Sequence, residues 1–176
     1  MRKARNRLVL LSLFAMYGGL MYVSKFIMEG LPNIHPLTML IVTFTVVYGI
    51  KALIPIYVYV FINGLYEGFN IWWMPYLYLW AVQCLITLLI PRRIPDKIAA
   101  VVYPLLCAIL GLSFGVMYAP AQAIMFKYSF EQTIAWISSG LVFDLLHMGG
   151  NFAMGLLVLP LSKLIKKLHA STRIPV

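Results

Sequence analysis

Residues 140–155, GLVFDLLHMGGNFAMG, place an acid, an imidazole and an amide inside a long apolar run. At about 100° per residue, Asp144, His147 and Asn151 fall within a ~60° arc and share one helix face. Gly140 and Gly155 continue that stripe in both directions. An ionisable group at membrane depth costs about 2.5–3.5 kcal/mol on insertion scales and turns toward a partner or a cavity. Any fold for this chain must give the stripe something to face.

Composition says which solvent surrounds the rest. The chain is 62% hydrophobic and 11% charged, whereas a soluble domain carries about 25% charge. Lipid is therefore the medium, and a single integral membrane domain over residues 1–176 is expected. The net charge of +9 does not indicate nucleic acid, because the basic residues flank apolar spans and form no basic face. Cys84 and Cys107 lie inside apolar runs without CxxC spacing, so they read as buried thiols, not as a zinc or disulfide framework. The start MRKARNR, followed by an apolar run, has a signal-peptide look. No small-residue cleavage site follows, so it reads as an uncleaved first span.

In order, the chain shows apolar stretches at 8–28, 37–50, 52–65, 71–91, 98–119 and 139–162. The second and third are short for spans, and read either as borrowing length from their flanks or as sitting within the bundle with little tilt. Ala15 and Gly19 form a small-xxx-small pair, suited either to packing inside the bundle or to an external helix. Lys25 and Glu29, four apart, are placed to pair with each other or to meet a ligand. Residues 29–36, EGLPNIHP, carry turn chemistry. Residues 63–75, NGLYEGFNIWWMP, read as an interfacial aromatic belt or as a rim over a planar ligand. Residues 120–138 are too polar for a span and read as interfacial or partly re-entrant. The expected fold is thus an all-α membrane bundle of six transmembrane helices.

Six spans put both termini on one side. That side collects all 14 Lys and Arg residues except Lys25 and Lys127, which makes it cytoplasmic. Glu29, Glu67 and Glu131 fall on the other side with the Gly-, Pro- and aromatic-rich loops, so a ligand chamber opens outward. Three readings of the stripe fit: the floor of a ligand chamber, a structural network reaching Gln83 or Tyr103, or a proton relay. The HMGGN spacing is not that of a metal site, and His35 and His169 lie in other parts of the sequence. There is no Walker motif, so the chain does not hydrolyse ATP by itself.

Three stretches, LPNIHPLTMLIVTFTVVYGIKAL, YVYVFINGLYEGFNIWWMPYLYLW and GLVFDLLHMGGNF, resemble the S components of energy-coupling factor transporters. These are small six-helix vitamin-binding membrane proteins, and the likeness is nearest to a generic branch that includes a cobalamin S component. The resemblance implies a plasma-membrane substrate-binding subunit of a bacterial ABC-type importer. It implies no enzymatic activity and no catalytic cofactor. The cargo would be a vitamin, cobalamin first, with riboflavin or pantothenate as alternatives. The partners would be a transmembrane T component and two cytoplasmic ATPase subunits. Ala15 and Gly19 stand where the family has an Ala-xxx-Ala docking pair, with Gly replacing the second Ala. The substrate residues expected from this reading are Asn33, His35, Tyr66, Glu67, Trp72, Trp73, Asp144, His147 and Asn151. A small intramembrane enzyme using Asp144 and His147, and a stand-alone proton-coupled carrier, are the alternatives.

Overall fold

A computed structural model describes residues 2–31, 34–91 and 93–172. The described residues form helices α1 (Arg2–Ile27), α2 (Leu37–Tyr48), α3 (Leu53–Glu67), α4 (Tyr76–Leu88), α5 (Asp96–Leu112), α6 (Phe114–Phe126), α7 (Phe130–Gly155) and α8 (Val158–Thr172), with no strand among them. Four helical stretches are long and apolar enough to cross a membrane: Ala4–Ile27, Leu37–Glu67, Ile71–Leu88 and Asp96–Phe126. A fifth is the pair Phe130–Gly155 and Val158–Ala170, if its 46° bend lies within one span.

The second and third expected stretches form one helical run whose direction reverses. Phe44 stacks on Tyr17, and Tyr48 packs edge-on against Phe14, so α2 runs antiparallel to α1. Beyond the turn, Val58 lies on Gly18 and Tyr66 packs on Tyr22 and Phe26, so α3 returns parallel to α1. The reversal falls at Gly49–Ala52, a 3-10 turn. It is made possible by Gly49 at φ 61, ψ −139, a backbone conformation that side chains disfavour. The arms are 12 and 15 residues long, each short of the ~20 that a spanning helix needs. Helix α2 sits at the centre, with Leu37 to Thr45 all buried. The Thr43 hydroxyl lies 3.7 Å from the Met39 sulfur. Thr45 donates to the Ile41 carbonyl at 2.7 Å and also lies 3.4 Å from the Cys84 sulfur.

Residues 120–138, expected as an interfacial or partly re-entrant segment, are helical except at the turn 127–129. They are the end of α6 and the start of α7, joined through Lys127 in the left-handed conformation (φ 55). Helix α7 starts at Phe130, not near 139, because Ser129 and Gln132 form a capping box. The Ser129 Oγ accepts from the Gln132 N–H at 3.3 Å, and the Gln132 Oε1 accepts from the Ser129 N–H at 2.8 Å. From there α7 runs antiparallel to α5 and α6: Trp136 stacks on Tyr118, Asp144 meets Gly115, His147 meets Gly111, and Gly155 meets Pro104. After a bend at Leu156 and Leu157, α8 passes beside α2, with His169 edge-on to Tyr48.

Within lipid, helix association gains little from burying apolar surface, because the tails are equally apolar; close packing and hydrogen bonds hold the bundle. The glycines show where packing is closest. A Cβ on Gly18 would lie 2.5 Å from a Val58 methyl, one on Gly115 2.4 Å from the Asp144 Oδ2, and one on Gly155 2.7 Å from the Pro104 Cα. Each contact is too short for any side chain.

Candidate functional site

The polar stripe of α7 divides between two environments. Asp144 and Asn151 face the α5–α6 rod. Helix α6 begins after an interruption at Ser113, and the Gly115 N–H donates to the Asp144 Oδ1 at 3.0 Å. A carboxylate so placed satisfies an otherwise orphaned amide and meets the positive end of the helix dipole. Asn151 lies against Gly111, where an added Cβ would come within 2.7 Å of the Asn151 Nδ2. All three stripe residues are buried, at 4% exposure for Asp144 and His147 and 3% for Asn151. Of the three, His147 lines a polar cavity.

That cavity, of about 210 Å³, is lined by Lys25, Met28, Glu29, Leu31, His35, Tyr76, Phe114 and His147. It lies where the end of α1, the 28–36 connection and the first residues of α4 and α6 converge on the middle of α7. Two other hollows, of about 160 Å³ and 530 Å³, are lined almost wholly by apolar side chains. The 210 Å³ cavity differs from them in bringing an ammonium, a carboxylate and two imidazoles to one wall.

The two imidazoles meet directly, with His35 Nε2 and His147 Nε2 3.4 Å apart across 112 residues of sequence. Neither Nδ1 has a hydrogen-bond partner among the described residues. Burial, reinforced by the neighbouring His147, pulls the His35 pKa down to about 4, so its ring is neutral near pH 7. Aromatic rings back the pair: Phe114 lies 4.6 Å from the His147 ring at 37°, and Trp80 lies 5.8 Å from Phe114 and 6.3 Å from His35, centroid to centroid. At the mouth, the Lys25 Nζ bonds to Glu67 Oε1, which also accepts from the Asn63 Nδ2 at 2.7 Å. Lys25 therefore pairs with Glu67 and not with Glu29, the partner its spacing suggested.

The remaining expected site residues are dispersed. Asn33 lies outside the described residues. Glu67 holds Lys25 but does not line the cavity. Tyr66 is exposed and packs on Tyr22 and Phe26. Trp72 packs on Tyr76, and its carbonyl accepts from the Tyr118 hydroxyl at 2.7 Å. Trp73 donates its indole N–H to the Val60 carbonyl at 2.9 Å, with Phe69 edge-on at 4.9 Å. These aromatics fasten α3, α4 and α6 together at one end of the bundle. Ala15 is exposed, and among the described residues nothing lies within 4 Å of a Cβ built on Gly19, so this pair faces away from the bundle; Gly18 makes the internal contact. Gln83 and Tyr103, proposed partners of the stripe, do not bond to it; Gln83 is fully buried, with both amide atoms unpartnered among the described residues.

Phe114 and Tyr76 are wall residues that sequence reasoning passed over. Nothing local marks Phe114. Tyr76 follows Pro75 at a helix start, where an aromatic reads first as a membrane-interface residue. Comparisons with protein families, curated proteins and solved structures found no match.

Proposed function

We propose that this chain is a membrane-embedded capture subunit of the S-component type, binding a small vitamin-like molecule in the cavity around His35 and His147. The observation that carries the reading is the polar cavity itself, placed at the end of the bundle opposite the basic residues of the Gly49–Ala52 turn and of α8. In this reading α1, α2, α3, α4, α5–α6 and α7–α8 make six crossings, α2 and α3 being short arms shielded by their neighbours. The reversal at Gly49 and the antiparallel α5–α7 pairing support that count. Lys51, Arg93, Lys97 and Lys163 then lie with the termini on the cytoplasmic side, and the cavity opens outward.

A volume of about 210 Å³ is below the ~300–1,000 Å³ of typical small-molecule sites. It favours a compact cargo. A corrinoid such as cobalamin needs far more room than this, and riboflavin also needs more; pantothenate-sized molecules need the least. The enzyme and proton-carrier alternatives both lean on Asp144 acting with His147, and Asp144 is already engaged by the Gly115 amide. Transport itself would require a T component and two ATPases, with Ala15 and Gly19 on the free face of α1 as the docking pair.

Native mass spectrometry of the chain, extracted from cells grown in rich medium, tests this. One small molecule retained per chain, and co-extraction of T-component and ATPase subunits, is the expected result. A chain that carries no adduct, binds none of the vitamins offered to it and extracts alone would refute the proposal.

A further inference from the structure

The histidine contact has a geometry of its own. A neutral N–H···N hydrogen bond is expected near 2.9–3.0 Å, and 3.4 Å is long for one. The same separation suits a shared metal ion. Two imidazole nitrogens, each ~2.0–2.1 Å from a tetrahedral ion, stand about 3.3 Å apart. Such a pair of rings also has its centroids about 5 Å apart and is free to twist about the metal–nitrogen bonds. Here the centroids are 5.3 Å apart and the planes cross at 68°. The facing nitrogens are both Nε2 atoms, one on the 28–36 connection and one on α7.

We propose that His35 and His147 form a binding site for one divalent transition cation of the Co²⁺, Ni²⁺, Zn²⁺ or Cu²⁺ class. Imidazole nitrogen is the shared donor preferred by these ions, whereas Mg²⁺ and Ca²⁺ prefer oxygen. No third His, Cys, Asp or Glu completes a ligand cluster among the described residues. Two coordination positions therefore remain for water or for a donor atom of a molecule in the cavity, as in open metal sites. Met28 and Glu29 line the same cavity, as does Lys25, whose charge is paired with Glu67. The inference stands apart from the transport reading, because it concerns the isolated chain and an inorganic ion.

The test is a Co²⁺ titration of the full chain in detergent, stripped with a chelator and carrying no polyhistidine tag, followed by visible absorption. One equivalent should bind with the intense visible bands of a low-coordinate Co²⁺ site, and Zn²⁺ should displace it while Mg²⁺ does not. His35→Gln and His147→Gln should each weaken binding at least tenfold, and His169→Gln should leave it unchanged. Should His147→Gln fail to fold, His35→Gln, in a connection outside the helices, carries the test alone. Absence of the visible bands, or binding that survives His35→Gln undiminished, would overturn the assignment. Failure of vitamin capture with the Co²⁺ signal intact would leave the metal site standing and remove only the transport reading.

Discussion

One helix face of α7 meets two different neighbourhoods. At Asp144 and Asn151 it presses on glycines of α5 and α6, and the Asp144 carboxylate is bonded to backbone. At His147, on the same face and between them in sequence, it opens onto a cavity where a second imidazole waits with its Nδ1 unpartnered among the described residues. Polar groups within lipid are costly unless a partner or a cavity meets them. What they face separates them: Asp144 repays insertion with a structural bond, and His147 repays it with access to a site. The seam should therefore respond to substitution in stability, and the cavity in binding.

The largest effect is expected at the seam. Gly115→Val places a branched side chain where even a Cβ lies 2.4 Å from the Asp144 Oδ2. It should cost about 3 kcal/mol or more, through overpacking together with loss of the buried hydrogen bond. Thermal unfolding in detergent would show this as a large drop in Tm, and an unchanged Tm would break the comparison. Asp144→Ala keeps the helices apart by less but leaves the Gly115 amide without its acceptor. A loss of about 1–3 kcal/mol is expected, with ligand capture retained once the protein is folded; abolished capture in a stable Asp144→Ala protein would move Asp144 into the site.

At the cavity, Lys25→Met should cost about 1–2 kcal/mol, since the Lys25–Glu67 pair is mostly buried and the change leaves the Glu67 carboxylate with the Asn63 amide alone. Its effect should appear in capture, measured as retained adduct by native mass spectrometry. The smallest change in the isolated chain is expected for Gly19→Leu. Among the described residues nothing lies within 4 Å of a Cβ at Gly19, so stability should change by no more than about 0.5 kcal/mol. Co-extraction of a T component is the sharper readout, and its survival would remove Gly19 from the docking surface.

Much of this division was open to inspection in the sequence, and some was not. Helical periodicity places Asp144, His147 and Asn151 on one face, and in the structure all three are buried on α7; hydropathy adds the expectation that this face lies at membrane depth. The Gly111–Gly115 spacing was visible too, but only the antiparallel register of α5–α6 against α7 reveals that these glycines receive the stripe. Likewise His35 stood out in its loop and His147 in its helix, yet no local pattern encodes a contact across 112 residues. The start of α7 is a different case. Ser129 and Gln132 spell a capping box in the sequence, and weighing polarity above capping chemistry put the helix start too late. The direction reversal at Gly49 was legible only as a break, because a glycine permits a positive φ without stating where the chain goes next.

The central claim is that the histidine-lined cavity faces the outside of the cell. Leu31→Cys, on the cavity wall and half exposed, permits a direct test, since the native Cys84 and Cys107 are fully buried. A membrane-impermeant maleimide added to intact cells should label this cysteine, and added vitamin cargo should slow the labelling. Labelling confined to inverted vesicles would contradict the account.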